Sequence, residues 1–392
     1  MTPKRALRIL AAEDMAPKVR RELSRRGFLA AGAGGAVAAF LAACGSPNGT
    51  PAVQATGGAL EDTLSIYTWG DYDSPDALEA FTSDFGPRIV LDSYGSNEEM
   101  IAKLVAAKGT SGYDIIVPTG VFIPQLIENG LLLKLNKSLI PNLEHVDPAY
   151  LGRVWDPNND YSIVKAWGTT GFVYDKTVIT RELKTWNDFL DAAKNEASGS
   201  TSVLDDPVEI TGIYYWANGI DWDTTDPAHI DAAEKFLLEE LAPHISAFDS
   251  YPGGAAIPQA TNALMQAWNG DARLGIMESP DPDRWQWVLG SPATELWMDN
   301  WAVLSSAPHP EAAHAFLDFI LDPDWAVDQI DYIGYHTGAK NVEEMCREAG
   351  LEMLDMVFFT PEQLATMQDG EINEAQERNV EIWNKLKAAA GA

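Results

Sequence analysis

Three short apolar runs separated by two amphipathic ones fill residues 64–130, and no other feature restricts the fold as much. Leu64-Ser65-Ile66-Tyr67-Thr68-Trp69 alternates like a strand and stops at Gly70-Asp71-Tyr72. Ser74 and Pro75 then supply an N-cap and a first-turn proline, and Leu78, Phe81 and Phe85 keep helical spacing. Arg88–Ser93 reads as a second strand, Asn97–Lys108 as a second helix and Tyr113–Pro118 as a buried third strand. A helix around Pro124–Asn129 is closed by Gly130. This β-α-β-α-β order predicts an α/β domain with a largely parallel sheet and ligand contacts at the carboxyl ends of its strands. Trp69, Tyr72 and Thr119 stand at such ends, although a strand-end aromatic such as Trp69 serves equally well as core.

A second α/β rhythm follows the turn-rich Asp156-Pro157-Asn158-Asn159-Asp160. Tyr161–Val164 and Gly171–Tyr174 read as strands, and the small, extended Trp167-Gly168-Thr169-Thr170-Gly171 between them suits a hinge crossing. Helices are expected at Trp186–Lys194, Glu209–Asn218, Asp226–Leu241 and Ile257–Trp268, the last ended by Gly270. Strands are expected at Ser202–Leu204, Arg273–Met277 and Trp285–Leu289, and four further helices lie between Pro310 and Lys387. A chain of 392 residues has room for two such domains.

The first sixty residues read as an address. Ser24-Arg25-Arg26-Gly27-Phe28-Leu29 runs into an Ala/Gly-rich stretch too short to span a bilayer, resembling a twin-arginine export signal over residues 1–43. Leu41-Ala42-Ala43-Cys44 matches a lipobox, which makes Cys44 the acylated residue and 44–61 a flexible tether. The expected location is the outer face of the cytoplasmic membrane, where ATP- or NAD-dependent chemistry is out of place. The whole chain carries 58 acidic against 27 basic side chains, and the signal segment is itself basic, so the exported body is more acidic still. Such a surface repels nucleic acid and attracts cations. Two cysteines, Cys44 and Cys346, build no disulfide framework, and six scattered histidines show no metal-ligand spacing.

Glu295-Leu296-Trp297-Met298-Asp299-Asn300-Trp301 reads as a strand whose Trp297, Asp299 and Trp301 share a face. An indole beside a carboxylate suits an organic cation, by cation–π attraction and a charge-assisted hydrogen bond. A buried Trp next to a solvated Asp is the plainer reading of the same residues. Asp206-Pro207-Val208-Glu209 has the form of a capping box. The same two carboxylates at a strand-to-helix junction could also face a cleft, where the helix N-terminus would lower their pKa and keep them ionised. Tyr214 and Tyr215 lie within an apolar helix interior and are assigned to core.

Taken in order, these segments resemble the bacterial spermidine/putrescine-binding proteins of polyamine ABC importers. The resemblance runs from about Leu64 to Lys387 through Tyr67–Tyr72, Tyr94–Glu98, Tyr113–Pro118, Asp156–Ser162, Trp167–Gly171, Asp205–Glu209, Ala267–Gly270, Trp297–Asp299 and Ile333–Tyr335. It implies a type II-like two-lobed periplasmic-binding-protein fold, with a cleft between lobes joined by crossing hinge strands. Lobe 1 would comprise 62–168 and 299–342, and lobe 2 would comprise 169–298 and 343–392. It implies a monomeric receptor, not an enzyme, needing no cofactor, metal or nucleic acid and serving an ABC permease. Trp69, Tyr72 and Thr119 would line the first lobe, and Asp206 and Glu209 would take one ammonium from the second. Trp268 and Trp297 would flank the alkyl chain, Asp299 would take another ammonium, and Tyr335 would line the wall. Gly70, Val121 and His336 depart from the family's usual residues, and no C-terminal glutamine aligns near Asp369 or Glu371. A receptor for another cationic amine, or an extracellular glycoside hydrolase built on paired carboxylates, is compatible with the same residues.

Overall fold

The computed structural model describes residues 53–107 and 111–391; the export signal, Cys44 and the start of the tether lie outside them. Among the described residues ten strands run in the order β1 (Thr63–Trp69), β2 (Arg88–Tyr94), β3 (Ile115–Ile116), β4 (Ser162–Asp175), β5 (Thr201–Val203), β6 (Ile245–Phe248), β7 (Leu264–Trp268), β8 (Trp285–Leu289), β9 (Thr294–Val303) and β10 (Met367–Asp369). Hydrogen bonding orders them β2-β1-β3-β9-β4-β7-β5-β6, with β10 beside β9 and β8 beside β4.

The junction of the two halves is β4, fourteen residues long and buried throughout. Its first part, Ser162–Thr169, pairs with β9, and its second, Thr170–Tyr174, pairs with β7. The expected pair of strands with a hinge segment between them is therefore one continuous strand, with Trp167–Gly171 at its middle. An irregularity between Val164 and Ala166 makes Lys165 the extra residue opposite β9.

The expectation of a largely parallel sheet holds only at the periphery. Parallel pairing joins β1 to β2 and β3, β5 to β6 and β7, and β9 to β10. The central strands β9 and β4 are antiparallel to each other and to β3, β7 and β8. Residues 257–278 also differ from expectation: Leu264–Trp268 is a strand, and Asn269–Glu278, with Gly270 in its first turn, is a helix. A short apolar run inserted between β4 and β5 is buried on both faces and so shows no period. The helix beyond it is buried on nearly every side and contains two glycines, which removes its amphipathic signature.

Apolar burial is concentrated in two main cores. One joins residues of 64–167 with Trp297–Tyr335, and the other joins residues of 172–264 with Ala375–Leu386. Of the expected tether, residues 53–61 are fastened to the first of these. Ala55 is buried, and Thr56 and Gly57 donate backbone N–H bonds to Glu311 at 2.7 and 3.0 Å. Among the described residues no helix is long and apolar enough to cross a membrane.

Candidate functional site

The expected residues fall into two groups on either side of β9. In the first, Thr119 follows β3 and meets Asp299 through an antiparallel bridge. Its hydroxyl donates to Asp299 Oδ1 at 2.7 Å and accepts from Asn97 Nδ2 at 3.0 Å, while Thr119 N donates to Asn97 Oδ1 at 3.0 Å. Asn97 thus fixes which way the hydroxyl points. The Tyr72 hydroxyl lies beside the same carboxylate, buried and without a well-formed hydrogen bond of its own. Burial pushes Asp299 up to about 6, against the Thr119 and Tyr72 hydroxyls and the charge of Lys165.

Trp297 and Tyr335 form the wall between the groups, their rings edge to face at 4.8 Å, and Tyr72 stands 6.3 Å beyond Tyr335. Two glycines make this possible. A Cβ on Gly168 of β4 would lie 2.5 Å from the Trp297 ring, and one on Gly270 would lie 2.5 Å from Tyr335. Trp69 is anchored by its indole N–H to Val117 O at 3.1 Å and packs 4.8 Å from Tyr94. The phenol of Tyr94 is raised by burial and then by the nearby Asp299, so Trp69 stands at the border of this group.

The second group surrounds the start of the helix Pro207–Ala217. Asp206 caps it, accepting from Val208 N at 2.8 Å and Glu209 N at 3.1 Å. Only this half of the capping box forms. Glu209 turns away and accepts from Thr170 Oγ1 at 2.6 Å, Trp268 Nε1 at 2.8 Å and Gln266 Nε2 at 3.3 Å. The expected lowering of both pKa values by the helix N-terminus is overturned. Burial raises Asp206 despite the two N–H bonds, and it raises Glu209 despite its donors. Loss of hydration outweighs the helix terminus here.

Both groups meet along one face of β9, where Glu295, Trp297 and Asp299 alternate. The sequence alone assigns no role to Glu295. Its carboxyl is in hydrogen-bond contact with that of Glu209, and it is raised by burial and then by the charges of Glu209, Asp206 and Asp299. From the first core, Glu98 is raised to about 7 by burial, with Asp206 as a further, repulsive influence. The signal for Glu295 lay in the period-two row of acid, indole and acid. Nothing local marked Thr170, Gln266 or Lys165.

Such a site places carboxylates at both ends of an aromatic wall, which matches a flexible organic cation with separated charges. The profile of the family described as bacterial extracellular solute-binding protein matches residues 76–350. The Spermidine/putrescine-binding periplasmic protein of Escherichia coli is 33% identical over 277 residues, covering 70% of this chain and 77% of that one. The Putrescine/agmatine-binding protein of Pseudomonas aeruginosa is 26% identical over 348 residues, covering 85% of this chain and 94% of that one. A spermidine/putrescine ABC transporter substrate-binding protein from Streptococcus pneumoniae, crystallised with calcium and HEPES, superposes with a TM-score of 0.72. It is 26% identical and covers 84% of this chain and 100% of its own. A putative spermidine/putrescine ABC transporter from Listeria monocytogenes gives 0.75 at 25% identity, covering 83% and 99%. With a two-lobed periplasmic-binding-protein fold and a family match across most of its length, this chain belongs to the bacterial extracellular solute-binding proteins.

Proposed function

We propose that this protein captures a polyamine, spermidine or putrescine, between its two lobes and delivers it to an ABC permease. The observation that carries this reading is the acid–indole–acid row Glu295, Trp297, Asp299 on β9, continued by Asp206 and Glu209 on one side and Thr119 on the other. Rings along the wall remove methylenes from water at about 0.8 kcal/mol each. Carboxylates at the ends hold ammonium groups and discriminate against neutral analogues, since a buried charge without its partner is costly. Lobe 1 would comprise 62–168 and 299–342 and lobe 2 the remainder of the body; ligand touching both favours the closed arrangement. Cys44 would carry the lipid that keeps the monomer near its permease, with no catalytic step of its own.

Native mass spectrometry of the purified protein, followed by calorimetry with putrescine and spermidine, tests the reading. A co-purifying amine, or binding at micromolar concentration or tighter, is expected. No heat with any polyamine would overturn it, as would turnover of an oligosaccharide.

A further inference from the structure

The Glu209 carboxylate is almost fully used before any ligand arrives. Oε1 accepts from Thr170 and Trp268 and Oε2 from Gln266, and the carboxyl of Glu295, one residue along β9 from the Thr169–Leu296 pair, is in contact with the same group. Two carboxyl groups in hydrogen-bond contact need a proton between them. The Glu209 carboxylate cannot turn aside without losing these bonds. Glu209 is held by its three donors, and Glu295 lies in β9 with its backbone paired to Gln368 and its carbonyl accepting from Thr169 Oγ1 at 2.5 Å.

Resting on the polyamine reading above, we propose that Glu295 is a third acid at the Asp206–Glu209 end of the cleft, and that an arriving ammonium replaces the proton held between Glu295 and Glu209. The N–H groups of the ammonium then donate to the two carboxylates, and the displaced proton leaves to solvent, so charge and protons balance. The groups facing this pair are Asp206 from the helix Pro207–Ala217 and Asp299 from β9 itself; Glu98, from the helix Asn97–Ala107, faces Asp206 in turn. All are acids, so none supplies a resident cation in place of the proton. Burial raises both carboxyls, with Asp206 adding to the rise of Glu209 and Glu209 to that of Glu295, which agrees with a proton retained between them.

The consequence is proton release coupled to capture. Calorimetry of the purified protein with putrescine and with spermidine, in phosphate and in Tris at pH 6, 7 and 8, reads the number released from the difference in apparent heat. We expect release of about one proton at pH 6 that declines toward pH 8, and affinity tightening by up to about tenfold per pH unit where release is complete. Glu295→Gln keeps the shape and the hydrogen bond to Glu209 without a titrating group. It should lose at least half of the release and flatten the pH dependence. Amine binding with equal heats in both buffers would overturn the role of Glu295 and leave the polyamine reading standing. Absence of any amine binding would overturn that reading and, with it, this one.

Discussion

Lys165 and Asp73 form an ion pair at 2.8 Å, with both side chains 2% exposed. The ammonium also donates to Tyr72 O at 2.7 Å and lies 4.5 Å from the Tyr72 ring centroid and 4.4 Å from that of Trp301. Two opposite charges 2.8 Å apart attract by about 6 kcal/mol at an effective dielectric constant near 20. Loss of hydration cancels much of that gain, so the intact pair contributes little net stability. Removing one partner is a different matter. Lys165→Met strands the Asp73 carboxylate, whose Oδ2 already lacks a partner, and should cost about 3–5 kcal/mol. Asp73→Leu combined with Lys165→Met replaces both charges by apolar groups and should lie within about 1.5 kcal/mol of the parent. Urea denaturation followed by tryptophan fluorescence gives both values and the coupling between them. A Lys165→Met loss below about 1 kcal/mol would refute this reasoning, as would a double variant as unstable as the sum of the singles. Because Lys165 also opposes the rise of Asp299, the double variant should bind amines more weakly, and by a larger factor at pH 6 than at pH 8.

Further outcomes follow from the same geometry. Gly168→Ala places a methyl 2.5 Å from the Trp297 ring and should cost about 1–3 kcal/mol in denaturant titration, with weaker amine binding by calorimetry. Thr119→Val removes the hydroxyl that opposes the rise of Asp299, so its carboxyl should titrate above about 6, as read by NMR of the labelled side chain. Asp156→Ala removes the acceptor for Asp160 N, Tyr161 N, Ser162 N and Ser162 Oγ at the entrance to β4. Each bond to a charged acceptor is worth about 1.5–3 kcal/mol, and the loss should appear as a lower urea midpoint. Glu98 and Asp299 are raised in the folded protein, to about 7 and about 6, so the folded state holds more protons than the unfolded one above the ordinary carboxylate range. Stability of the ligand-free protein should therefore fall as pH rises from about 4.5 to 7.5, and Glu98→Gln with Asp299→Asn should flatten that slope in thermal melts. His336, lowered to about 4 by burial, contributes in the opposite sense below pH 6.5, and comparison with His336→Gln isolates it.

The periodic parts of the chain were readable because each buries one face. The strand Thr63–Trp69 and the helix Pro75–Phe85, with Ser74 as its cap and Gly86 closing it at φ 102°, carry their own start and stop signals. Leu264–Glu278 carried none, because a strand and a helix sealed on all sides both read as apolar runs with small residues. Position at a strand end marks Thr119, an indole beside a carboxylate marks Trp297 and Asp299, and the fold brings them together. The local pattern around Glu209 is that of a capping box and does not distinguish a cap from a cleft carboxylate. Its donors, Thr170, Gln266 and Trp268, lie 39 to 59 residues away and leave no local trace. The partnership of Lys165 with Asp73 spans 92 residues and was invisible for the same reason.

Because β4 belongs to both halves of the molecule without a break, relative motion of the lobes cannot be delegated to a floppy connector. Under the proposed closure it would be a flexing of a hydrogen-bonded ribbon, shared with the paired β9. Such a joint stores little disorder when open, so closing it forfeits little chain entropy. More of the contact energy with a captive molecule is then left to hold it.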